Sequence, residues 1–100
     1  MSAFFIANVK IKNIDKFQEY GQQASSTLTQ YGGEIVIKGK FDGVLAGNSA
    51  DHDMVAILKF PDMNSLNKWY KSDEYQSLIP LRDQGADVSF IKYNEPPMAA

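Results

Sequence analysis

Between Ile14 and Tyr31 the apolar residues Ile14, Phe17, Tyr20, Ala24, Leu28 and Tyr31 recur at intervals of three and four, and Gly32-Gly33 ends the run. That spacing is one stripe of an α-helix, closed by glycines that can adopt a left-handed cap. On either side the pattern changes. Phe4 to Ile11 (FFIANVKI) and Glu34 to Lys40 (EIVIKGK) are short and rich in β-branched and aromatic residues, which predicts strands, and Asn13 is placed to cap the helix between them. Met54 to Phe60 (MVAILKF) predicts a third strand. Pro61-Asp62 then opens a second helical stripe on Met63, Leu66, Trp69 and Tyr70. Ser72-Asp73 interrupts that stripe and caps a further piece carrying Tyr75, Leu78, Ile79 and Leu81, inside which Pro80 signals a kink or an end. Val88 to Tyr93 (VSFIKY) predicts the last strand. The segment FDGVLAGNSADHD reads as a loop with a short extended piece at Val44-Leu45.

The order is therefore β-α-β-β-α-β, an α+β arrangement of the ferredoxin-like kind. Right-handed crossovers put both helical units on one face of a four-stranded antiparallel sheet. A chain of 100 residues with 44% hydrophobic content has room for one such domain, expected over residues 1–95, with a disordered tail at 96–100.

A sheet covered on one face should alternate apolar and polar residues, because its other face meets water. The two central strands do not alternate in that way. Phe5, Ala7, Val9 and Ile11 oppose Phe4 and Ile6, and Met54, Ala56, Leu58 and Phe60 oppose Val55 and Ile57. An apolar second face calls for a cover, and the economical cover is a second copy of the chain, a homodimer with its sheets face to face. The alternative is the 41–53 loop folding over the sheet.

Composition removes several functions. A chain without cysteine has no disulfide, thiolate metal site or cysteine nucleophile, and it suits a reducing, cytoplasmic setting. No segment approaches the roughly 20 apolar residues of a membrane-spanning helix, so no membrane partner is expected. A net charge of −2 and scattered basic residues argue against a phosphate-neutralising surface. The first strand is similar to the aromatic strand of RNA-recognition domains, but the third, MVAILKF, lacks their basic and aromatic pattern; no nucleic-acid partner is expected. His52, the single histidine, sits between Asp51 and Asp53 as a candidate base or ligand, or as a solvated loop residue. One histidine with scattered carboxylates does not make a zinc site.

Chemistry concentrates in NKWYKSDEYQSLIPLRD, residues 67–83, which holds the only Trp and the only Arg. Arg82 can clamp a carboxylate or enolate through parallel hydrogen bonds, or form an ion pair with Glu74 or Asp83. Tyr20, Tyr70 and Tyr75 offer hydroxyls. Trp69 offers a flat wall, although its spacing from Leu66 assigns it mainly to packing. Asn8 joins these as a further candidate for shaping the pocket.

FFIANVKI, Phe17-x-x-Tyr20, Tyr31-Gly32-Gly33, Phe60-Pro61 and Trp69-Tyr70-x-Ser72-x-Glu74-Tyr75 with Arg82 following resemble a widespread bacterial family known as a domain of unknown function. The resemblance runs from Phe4 to Tyr93 and places the chain in the dimeric α+β barrel superfamily. It implies the fold and a homodimer. Relatives include cofactor-free quinone-forming monooxygenases, muconolactone isomerase-like enzymes and haem-degrading proteins, whose ligands sit between sheet and helices. The resemblance therefore implies a small aromatic or anionic ligand, transformed without a cofactor; a non-enzymatic accessory or regulatory module is the alternative. Where many members carry Arg-Gly-Gly, this chain has Lys38-Gly39-Lys40, which keeps charge but loses bidentate geometry. No helical histidine is present to bind haem.

Overall fold

The structure, a computed structural model, describes residues 1–96. The tail expected to be disordered lies outside the described residues from position 97 onward. Glu95, just before it, is tied down: its N–H donates to the Ser2 carbonyl at 2.9 Å and its carboxylate meets Lys59 Nζ at 2.8 Å.

The elements are β1 (Ala3–Ile11), α1 (Ile14–Leu28), β2 (Glu34–Lys40), β3 (Met54–Phe60), α2 (Met63–Lys71), α3 (Asp73–Gln76), α4 (Ile79–Gly85) and β4 (Ala86–Asn94). The sheet is antiparallel throughout, in the order β2-β3-β1-β4. This is the expected ferredoxin-like βαββαβ fold, with the second helical unit in three pieces rather than two. Pro80 lies in the first turn of α4, where a missing N–H costs nothing, so it starts a helix instead of kinking one. The 41–53 loop contains no strand at Val44-Leu45.

Local chemistry sets the boundaries. Asn13 Oδ1 accepts from Lys16 N at 3.1 Å and opens α1. A 3-10 turn, Thr29–Tyr31, extends α1 to Gly32, whose φ of 73° lets its N–H reach back to Thr29 O. Asp62 caps α2 through Ser65 N at 2.7 Å.

Ala3, Phe5, Ala7 and Val9 of β1 point toward the helices and bury against Tyr20, Ala24 and Leu28 of α1, Leu66 and Trp69 of α2, and Tyr75 of α3. Ile14, first in the expected stripe, is the exception and stays exposed at the helix start. On the other face the register aligns Ile37, Ile57, Ile6 and Ile91 side by side across all four strands. This ridge is uncovered among the described residues: Ile37 is 59% and Ile91 50% exposed. The 41–53 loop does not fold over it. Its end is held at the sheet margin by Asp53, whose carboxylate takes Ile11 N at 2.6 Å, and by a Lys10–Asp51 pair at 2.9 Å.

Candidate functional site

Alternation along β4 turns Val88, Phe90 and Lys92 toward the helices. Opposite them α2 presents Leu66, Asn67, Trp69 and Tyr70, and α4 presents Arg82. Together these enclose a cavity of about 360 Å3. The walls are aromatic, from Phe5, Trp69, Tyr70 and Phe90, and the charged lining is Lys71, Arg82 and Lys92, with no carboxylate. In a chain of net charge −2 that concentration of cations is local and one-signed.

Trp69 is almost fully buried. Its ring stacks on Phe5 at 5.4 Å and Nε1 donates to Thr27 Oγ1 at 2.8 Å, so it packs as expected while one edge still lines the cavity. Ser72 fixes the turn beyond it. Its Oγ donates to Trp69 O at 2.7 Å and accepts from Tyr75 N at 3.2 Å, closing α2 and opening α3 with one hydroxyl.

Arg82 forms its ion pair with Asp83 and not with Glu74. Nε meets Asp83 Oδ1 at 3.0 Å, the ion pair, while Nη1 donates to the Tyr75 and Tyr70 hydroxyls at 3.1 and 3.3 Å and the guanidinium lies 5.4 Å over the Phe90 ring. Nη2 donates no hydrogen bond among the described residues, and Arg82 lines the cavity. Burial pulls the guanidinium pKa down, but the Tyr70 and Tyr75 hydroxyls and the Asp83 carboxylate outweigh it, so the charge is held more firmly than usual.

Behind Arg82 the Tyr75 and Tyr20 hydroxyls meet at 2.9 Å. Burial pushes both phenols above the ordinary value, Tyr20 far above it; for Tyr75 the hydrogen bond donated by Arg82 opposes that rise without cancelling it. Tyr20 lines a second cavity, about 100 Å3, between α1 and the sheet.

Trp69, Tyr70, Tyr75, Arg82 and Tyr20 thus come together, with Tyr75 enclosed and lining neither cavity. Asn8 does not join them. It pairs with Val55 and Ser89 on the open face, because the parity that turns Ala7 and Val9 to the helices turns Asn8 away. Sequence reasoning missed Lys71 and Lys92 as site residues; the period-two run Val88, Phe90, Lys92 carried the signal for the latter. Lys92 Nζ is fixed by Asn67 Oδ1 at 2.8 Å. His52 is remote from both cavities: Nδ1 lies 2.7 Å from Ala50 O and its ring edges onto Phe41. Among the described residues no group of three or more His, Cys, Asp or Glu could hold a metal. No helix among the described residues is long and apolar enough to cross a membrane.

Residues 2–93 match DUF1330, a domain of unknown function. The chain belongs to this family. Among solved structures it is similar to a protein of unknown function from Rhodopseudomonas palustris, at 18% identity and a TM-score of 0.80, covering 96% of this chain and 83% of that one. SnoaB, a cofactor-independent oxygenase from Streptomyces nogalater, aligns at 9% identity and 0.69 over 97% and 95% of the two chains. A dimeric protein of unknown function and ferredoxin-like fold from Bacteroides fragilis aligns at 7% and 0.57 over 94% and 96%. At these identities the DUF1330 chain shares a fold with them and nothing more is shown. No curated protein matches the sequence significantly.

Proposed function

We propose that this DUF1330 protein is a homodimer that binds a small aromatic anion in the cavity between α2, α4 and β4. The observation that carries this reading is the lining itself: four aromatic side chains with Lys71, Arg82 and Lys92, and no carboxylate among the lining residues. A volume of about 360 Å3 falls within the roughly 300–1,000 Å3 of small-molecule sites. A planar ring packs against the aromatic wall of Trp69, Tyr70 and Phe90, and its carboxylate or enolate oxygen meets the guanidinium, whose position Tyr70, Tyr75 and Asp83 fix in advance.

The chemistry such a site supports is stabilisation of negative charge on a ligand oxygen. Neither histidine nor carboxylate lines the cavity to accept a proton. The likeness to a cofactor-independent oxygenase extends the reading to a transformation of the bound anion without a cofactor, with the three cations holding the charge that develops.

Thermal shift with benzoate against benzamide at low salt tests the binding. Benzoate raises the melting temperature and benzamide does not, and Lys92→Met and Arg82→Gln each weaken benzoate binding by about tenfold or more. Equal stabilisation by the acid and the amide, or unchanged benzoate affinity in both variants, overturns the reading.

A further inference from the structure

The cavity beneath α1 is walled by Phe5, Ala7, Val9, Leu28, Ala56 and Leu58 and is apolar except at three places. Ser25 turns its hydroxyl back to Gly21 O at 2.9 Å, and Lys38 is exposed at the margin. The third is Tyr20, only 7% exposed.

Hydrogen-bond bookkeeping assigns a direction to the chain Arg82, Tyr75, Tyr20. Arg82 Nη1 has no lone pair and can only donate, so the Tyr75 oxygen accepts there. Tyr75 is 0% exposed, and the only other partner of its hydroxyl among the described residues is Tyr20. If Tyr20 donated to it, the Tyr75 proton would be left buried without an acceptor, which costs about 1–3 kcal/mol. Tyr75 therefore donates to Tyr20. The Tyr20 proton is left over, on a residue that lines the cavity, and a chain of bonds running from a cation makes its donor stronger.

We propose that the cavity beneath α1 is a second binding site, for a small uncharged carbonyl compound whose oxygen accepts the Tyr20 hydrogen bond. An apolar lining excludes ions and favours a hydrocarbon ring, while a single buried donor selects rings that carry one acceptor. Apolar cavities of about 150 Å3 take benzene; at about 100 Å3 this one suits a five-membered ring. This cavity shares the walls Phe5, Trp69, Val88 and Phe90 with the aromatic-anion cavity, while Tyr20 lines only the former and Lys92 only the latter.

Cyclopentanone and cyclopentane are the probes, titrated against the whole protein and followed by the methyl resonances of Ala24, Leu28 and Ala56. The ketone binds more tightly than the hydrocarbon, and its carbonyl stretch moves to lower frequency than in an apolar solvent. Tyr20→Phe weakens the ketone about tenfold and leaves cyclopentane unchanged. Tyr75→Phe discriminates the direction of the chain: it weakens the ketone if Tyr75 donates to Tyr20, and tightens it if Tyr20 donates to Tyr75. An unshifted carbonyl stretch, equal affinity for ketone and hydrocarbon, no binding at all, or tighter ketone binding in Tyr75→Phe overturns the proposal. Lys92→Met, in the wall of the aromatic-anion cavity alone, leaves cyclopentanone binding unchanged, which separates the two sites.

Discussion

Burial determines the ionisation of Tyr20 and Tyr75 before any ligand arrives. Both phenols keep their protons in the folded chain above the pH at which an unfolded chain loses them. Their contribution to stability is accordingly flat with pH below about 10, where folded and unfolded chains both carry the protons. Above that only the unfolded chain releases them, and stability falls by about 1.4 kcal/mol per pH unit for each phenol until the folded value is passed. Guanidinium titrations between pH 8 and 11 check this, with Tyr20→Phe expected to reduce the slope. Gly85 gives a second residue-scale test. A Cβ there would lie 2.6 Å from Phe17 N, and Gly85 O accepts from both Lys12 N and Asn13 N, so the backbones of α4 and α1 cannot move apart without loss. Gly85→Ala is expected to cost about 1–3 kcal/mol in denaturant titrations. At this scale the sequence carried residue type but not contact. Nothing local reveals that Tyr20 and Tyr75, 55 positions apart, share a hydrogen bond. Asn8 is the opposite case, since the parity that groups it with Ile6 was already visible in β1.

The helical connection from α2 to α4 shows why a recognisable stretch can be structural and functional together. Trp69, Tyr70 and Tyr75 reach their places because Ser72 lets the chain stop one helix and begin the next within a single residue. Ser72→Ala removes a bond to the Trp69 carbonyl and one from Tyr75 N, and is expected to cost about 1–2 kcal/mol in urea titrations. Ser72→Thr should restore most of it. The same Ala variant is expected to weaken benzoate binding, because Tyr70 and Tyr75 hold Arg82. The strands and α1 were legible because their periods are regular and their caps conventional. The division into three helical pieces was only partly so. Pro80 blocks a helix interior yet suits a helix start, and sequence alone does not say which of these the chain uses.

The whole molecule is a slab of 41 × 39 × 17 Å, two layers thick, with helices on one side of the sheet only. Its bare side is not a typical solvent face. The Ile37, Ile57, Ile6, Ile91 ridge crosses the sheet, with Phe4 stacked on Tyr93 at 5.3 Å beside it. Sheets pack face to face at about 10 Å with strands near-aligned, and a second copy presents the same ridge to the first, so a two-fold dimer covers both at once. The apolar second face in the sequence is what announced the bare ridge. Its cause lies in the fold, where the helices take one face and leave residues of the other parity with no cover. The expected outcome is a dimer at micromolar concentration by sedimentation. Ile57→Glu, in the middle of the ridge, leaves the helix-facing core untouched and places a charge where burial would leave it unpaired, so the variant should sediment as a folded monomer. A wild-type monomer at that concentration sinks the dimer; a dimeric Ile57→Glu variant moves the interface elsewhere. Because the aromatic-anion cavity opens on the helix side, the monomeric variant should still bind benzoate.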